Sequence, residues 1–87
     1  MLILTVNKKT ALNTDKVISF SCNMDVVKKG LEWYIKASCY GETYFIEKVG
    51  ECENSSEGRD RVEPIALAKF QEFIEKINKE NGGNKEC

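Results

Sequence analysis

The 87-residue sequence predicts an α+β domain, an antiparallel meander of about four strands with one C-terminal amphipathic helix packed on one face. Three observations carry this. Leu2, Leu4 and Val6, and then Ile18, Phe20 and Cys22, alternate with their neighbours at the period of a half-buried strand. Two β-rich runs, residues 31–40 and 43–49, flank Gly41-Glu42 as the arms of a hairpin. Leu67, Phe70, Phe73, Ile74 and Ile77 recur at helical spacing. Strands that precede a helix, rather than alternating with helices, point to an antiparallel sheet and the α+β class.

Taken in order, residues 2–6 form the first strand and Lys8-Lys9-Thr10 begins a turn. Asn13-Thr14-Asp15 has turn or capping chemistry, because short polar side chains bond to backbone nearby. It feeds the second strand at Ile18, Phe20 and Cys22. Residues 23–30 are polar at both ends and read as a loop with room for one helical turn. Glycine in the first place of a two-residue loop suits a type II′ turn, which sets Tyr40 opposite Thr43, Ala37 opposite Ile46 and Lys36 opposite Glu47. One face then carries Trp33, Ile35, Ala37, Cys39, Tyr44 and Ile46, and faces the core. The other carries Tyr34, Tyr40, Phe45 and Val49.

Residues 50–61 read as a loop. Asn54 and Glu57 have the spacing of a capping box, and Pro64 suits the first turn of the long helix. Asn81-Gly82-Gly83-Asn84 stops that helix. Residues 1–80 therefore form a single domain, and 81–87 a disordered C-terminal tail.

Composition narrows the chemistry. Lys plus Arg number 13 against 14 Asp plus Glu, a net charge of −1 that argues against general nucleic-acid binding. There is no histidine, so the commonest general base and most zinc ligand sets are missing. No nucleophile motif or phosphate loop appears, and the expectation is a non-enzyme without cofactor or metal. The four cysteines, Cys22, Cys39, Cys52 and Cys87, are spaced 17, 13 and 35 residues apart, with no C-x-x-C pair. They are expected to be reduced, Cys22 and Cys39 acting as small buried hydrophobes. The apolar start is too short for an export signal and no stretch approaches a membrane span, so a cytoplasmic location is expected.

Leu12-Asn13-x-Asp15-x-Val17-x-x-Phe20 resembles the opening of FlbD-like flagellar proteins. Over residues 2–77 the layout is also similar to small proteins of phages and prophages of Gram-positive bacteria. The 50–61 segment, longer than the link in that layout, is the departure. No active-site residues transfer with either resemblance. The phage-like resemblance implies an inhibitor or adaptor, including an anti-defence protein, acting on a host protein in the host cell cytosol.

Two surfaces are candidates for binding. A single helix covers one face of a small sheet, so Tyr34, Tyr40, Phe45 and Val49 are left for a partner protein, for a second copy in a homodimer, or for cover by residues 23–30 or 50–61. Lys28, Lys29, Arg59 and Arg61 are the basic clusters, suited to phosphate or to an acidic partner. They support a second reading, a protein that sequesters a small ligand or nucleotide. A structural protein of the flagellar type is the third.

Overall fold

The computed structural model describes residues 2–81. In chain order they form β1 (Leu2–Leu4), β2 (Ala11–Asn13), a 3-10 turn (Thr14–Lys16), β3 (Ser19–Val27), β4 (Gly30–Cys39), β5 (Glu42–Cys52) and α1 (Ser56–Asn81). The fold is α+β and the pairing antiparallel throughout. The strands divide into a β1-β2 ribbon and a separate sheet of order β3-β4-β5. The expected tail falls almost wholly on residues 82–87, which lie outside the described residues.

The ribbon explains why about four strands became three plus two. The first strand stops at Leu4, and Thr5 donates its backbone N–H to Thr10 at 2.8 Å. Asn7 holds the turn, accepting from the Thr5 hydroxyl at 2.7 Å and from the Lys9 N–H at 3.0 Å. Val6 leaves the ribbon and donates to the Phe45 carbonyl at 2.8 Å, fastening the turn to the outer edge of β5. Asn13 then accepts from the Asp15 N–H at 2.9 Å and caps the 3-10 turn, as its side chain predicts.

Residues 23–30 are not a loop. β3 runs unbroken to Val27, and Lys28-Lys29 alone join it to β4, with Val27 opposite Gly30. At the other hairpin, Tyr40 and Gly41 fill the two loop positions, with φ of 44° and 91°. Positive φ at both positions is the type I′ pattern, in place of the expected type II′ turn in which glycine comes first. Cys39 therefore faces Glu42, and Lys36 faces Phe45. The register then shifts twice, between Lys36 and Ile35 and between Tyr34 and Trp33. Ile46 and Val49 are the extra residues at these bulges.

The bulges correct one assignment outright. Strict alternation sends residues three apart to opposite faces, which placed Val49 beside Tyr34 and Phe45. Instead Ile46 and Val49 both turn inward, and Val49 is only 2% exposed. They join Trp33, Ile35, Ala37, Leu31 and Ala66 in the core, with Leu12 entering from the ribbon.

The helix begins at Ser56, about two turns before Pro64. Ser55, not Asn54, is the cap, its hydroxyl accepting from the Gly58 N–H at 3.0 Å. Pro64 lies inside α1, where its missing N–H leaves the Asp60 carbonyl without its helical donor. Both residues are exposed, so water can satisfy that carbonyl. Ala66 and Ile77 are buried, Phe70 and Phe73 pack against the core, and Leu67 turns outward. Phe73 meets Phe20 of β3 edge-on, with ring centroids 5.3 Å apart.

Helix and sheet approach closely at Gly50, opposite Trp33. A Cβ there would lie 2.7 Å from Val62 Cγ1 and 3.5 Å from both Ala66 Cβ and the Trp33 ring. Valine has one strongly preferred rotamer in a helix, so Val62 cannot swing away. Gly50→Ala is expected to destabilise by roughly 1–3 kcal/mol through overpacking. Adding Val62→Ala should return part of that loss in a double-mutant cycle followed by Trp33 fluorescence in denaturant. Simple additivity would show that the helix does not approach the sheet here.

Candidate interaction face

The face of the sheet turned away from α1 is built by period-two placement. β3 contributes Asn23 and Asp25, β4 contributes Glu32, Tyr34 and Lys36, and β5 contributes Phe45, Lys48 and Glu51. Neither residues 23–30 nor 50–61 form a loop that could fold over it, because all but Lys28-Lys29 and residues 53–55 belong to β3, β4, β5 or α1.

At its centre Tyr34 meets Phe45 edge-to-face, with centroids 5.0 Å apart and planes at 71°. Lys36 Nζ stands 4.8 Å from the Phe45 ring centroid and 3.1 Å from Asp25 Oδ1. The Tyr34 hydroxyl donates to Glu32 Oε1 at 2.8 Å. Lys48 lies 3.5 Å from Glu32 Oε2 and also donates to Glu51. The result is an aromatic pair framed by charges of both signs.

The framing shifts proton affinities. The hydrogen bond to Glu32, assisted by burial, raises the Tyr34 phenol above its ordinary value. The hydrogen bond between Lys48 and Glu51 raises the ammonium and lowers the carboxyl. On the core side, burial followed by the nearby Glu63 raises the Cys22 thiol, and burial followed by Glu53 raises that of Cys52. Both therefore stay in the protonated, weakly nucleophilic form at neutral pH. Cys22, Cys39 and Cys52 are free.

The candidate residues separate into three sets. Tyr34 and Phe45 share the centre of the face, with Phe45 39% exposed. Tyr40 projects from the β4-β5 turn at 78% exposure. Val49 lies in the core, on the opposite side of the sheet. The four basic residues do not gather into an anion pocket. Arg59 lies 3.9 Å from Glu63, and Arg61 lies 3.2 Å from Glu53. Lys28 and Lys29 form the β3-β4 turn, and Lys29 lines a shallow depression with Glu32, Glu51 and Glu53. Three carboxylates beside one ammonium disfavour phosphate there.

Sequence reasoning missed the charged frame. Its signal was the period-two series Glu32, Tyr34, Lys36, which places acid, aromatic and base on one face. Among the described residues, no group of three or more His, Cys, Asp or Glu side chains is placed to hold a metal ion. No described helix is long and apolar enough to cross a membrane. Comparison with protein-family models, with curated proteins and with solved structures returns no match.

The shifts set a pH window. Depressed carboxyls such as Glu51 give stability that is present above their ordinary value of 4.5 and lost as pH falls through the folded-state value. The raised Tyr34 phenol gives stability that is present below its ordinary value of 10.0 and lost as pH rises through the folded-state value. Stability against denaturant should be flat between pH 4.5 and the ordinary thiol value of 9.0, above which the raised Cys22 and Cys52 thiols add to the Tyr34 limb, and fall on both sides. Glu51→Gln should make the acid limb shallower, and Tyr34→Phe the alkaline limb. Limbs unchanged in both variants would mean that these pairs do not form in solution.

Proposed function

We propose that this chain is a non-enzymatic protein-binding module that docks through the open sheet face centred on Tyr34 and Phe45. In the finer form of this reading, it is a phage or mobile-element inhibitor or adaptor that occludes the working surface of a host protein in the cytosol. The observation that carries the proposal is the Tyr34–Phe45 pair, held edge-to-face on the side that α1 leaves uncovered. Aromatic side chains bury a large area at small entropic cost and recur at the centres of interfaces. The Lys36, Lys48, Glu32 and Glu51 frame supplies the charged rim that selects a partner by complementarity. In this reading Tyr40, exposed at the hairpin tip, adds a further aromatic contact for the partner. A ligand-sequestering role has less support, because Arg59 and Arg61 already face carboxylates.

A photoreactive side chain in place of Tyr40 should crosslink a defined protein in host lysate, whereas the same group in place of Lys69, on the exposed side of α1, should not. Adding Phe45→Ala should weaken binding of the captured protein about thirtyfold, equivalent to roughly 2 kcal/mol, with Trp33 fluorescence unchanged. Equal capture from both positions, or binding indifferent to Phe45→Ala, would refute the proposal.

A further inference from the structure

The two edges of the three-stranded sheet are treated differently. The β5 edge carries two bulges, and the Val6 N–H occupies the Phe45 carbonyl. Both devices discourage another strand from pairing there. The β3 edge has neither. Its nine residues keep one unbroken register with β4, and no other described backbone group bonds to them. β3 contains no proline and no lysine, and Asp25 is its only charge. The two-residue loop closes on Val27 and Gly30, so odd-numbered residues of β3 direct their backbone groups to β4. The even-numbered residues, Phe20 to Val26, direct theirs outward.

Apolar surface follows the same edge. Ile18 is 63% exposed and Val26 is 67% exposed. Above them α1 adds Leu67, which is also exposed. Its side of the helix is fixed by its neighbours. Glu63, one turn earlier, acts on Cys22 of β3, while Lys69, Glu72 and Lys76 lie beside Glu47 of β5.

We infer that β3 pairs with β3 of a second copy of this chain, antiparallel and centred on Asn23, to make one continuous six-stranded sheet. The sequence of the strand is self-complementary in that register. Phe20 faces Val26 of the second copy and Cys22 faces Met24, so apolar meets apolar on the helix side, and these even-numbered residues are the ones with outward backbone groups. On the other side Ser21 faces Asp25, and Asn23 faces itself. No like charges meet. The Asp25 carboxylate has one oxygen on Lys36 and the other, Oδ2, buried without a hydrogen-bond donor. The Ser21 hydroxyl of the second copy, which within its own chain donates to Asn23 Oδ1 at 2.8 Å, would have to turn from that acceptor to reach this oxygen across the cross-strand pair. The register uses all nine residues of β3, whereas two-fold registers centred on Cys22 or Met24 leave strand ends unpaired.

This inference is independent of the open-face proposal, since Phe45 lies on the far edge strand. Sedimentation equilibrium of the full chain, run reduced, should show a concentration-dependent dimer. Val26→Lys should weaken it at least tenfold, and Phe45→Ala should leave it unchanged. Asn23→Cys should form an interchain disulfide on mild oxidation, mapped by peptide mass analysis to position 23 in both copies. A monomer at every concentration would overturn the inference. So would a dimer indifferent to Val26→Lys, or one whose position 23 does not crosslink to itself.

Discussion

The two faces of the sheet acquire their separate characters from the bulges in β5. A strand that alternated without interruption would have to expose either Ile46 or Val49, since they are three residues apart. The extra residues rotate both toward α1 and return Gly50 to a position opposite Trp33. There the missing side chain lets Val62 and Ala66 reach the backbone of the sheet. Close packing at this point gives a domain this small its main burial, with Trp33, Ile35 and Val49 almost wholly removed from water. The cost is local. The indole N–H of Trp33 is buried without an acceptor, a loss of about 1–3 kcal/mol that the surrounding apolar contacts must exceed.

Because the apolar residues are spent on the helix side, the other face is left with aromatic and charged groups in a single layer. Its interactions are short and mutually constraining. Lys36 serves Asp25 and the Phe45 ring, and Lys48 serves Glu32 and Glu51. The Lys48 pairs are largely exposed and add little stability, whereas Lys36–Asp25 is partly buried. Together they hold Tyr34 and Phe45 in one orientation, which under the proposed binding role would lower the entropic cost of docking. Apolar burial is therefore concentrated on one side of the sheet, and aromatic and charged groups on the other. The β3 edge, at right angles to both, is open to a third kind of contact.

Much of this arrangement was legible in the sequence, and its gaps have physical causes. The helical period of Phe70, Phe73 and Ile77 located the packed stripe, and alternation from Trp33 to Ala37 located the inner face of β4. Tyr34 and Phe45 were placed together because the true register near the turn differs from the expected one by two residues along β5, which preserves parity. Val49 was misplaced because a bulge is a tertiary device with no local signature beyond the nearby glycine. Residues 23–30 looked like a loop because Asn23 and Asp25 have low strand propensity, yet both lie on the polar face, where pairing with Tyr34 and Glu32 outweighs it. The helix start was hidden by Pro64, which is more familiar in a first turn but is tolerated where the carbonyl it leaves free faces water.

The most direct test of this account compares Val49→Ser with Phe45→Ser by equilibrium denaturation, using the single tryptophan as the probe. If the bulges divide the sheet as described, Val49→Ser buries a hydroxyl in the core and should lower stability by roughly 2 kcal/mol or more. Phe45→Ser, on the open face, should cost about 1 kcal/mol or less. Equal losses, or a larger loss at Phe45, would contradict the division of the sheet into a packed face and an open one.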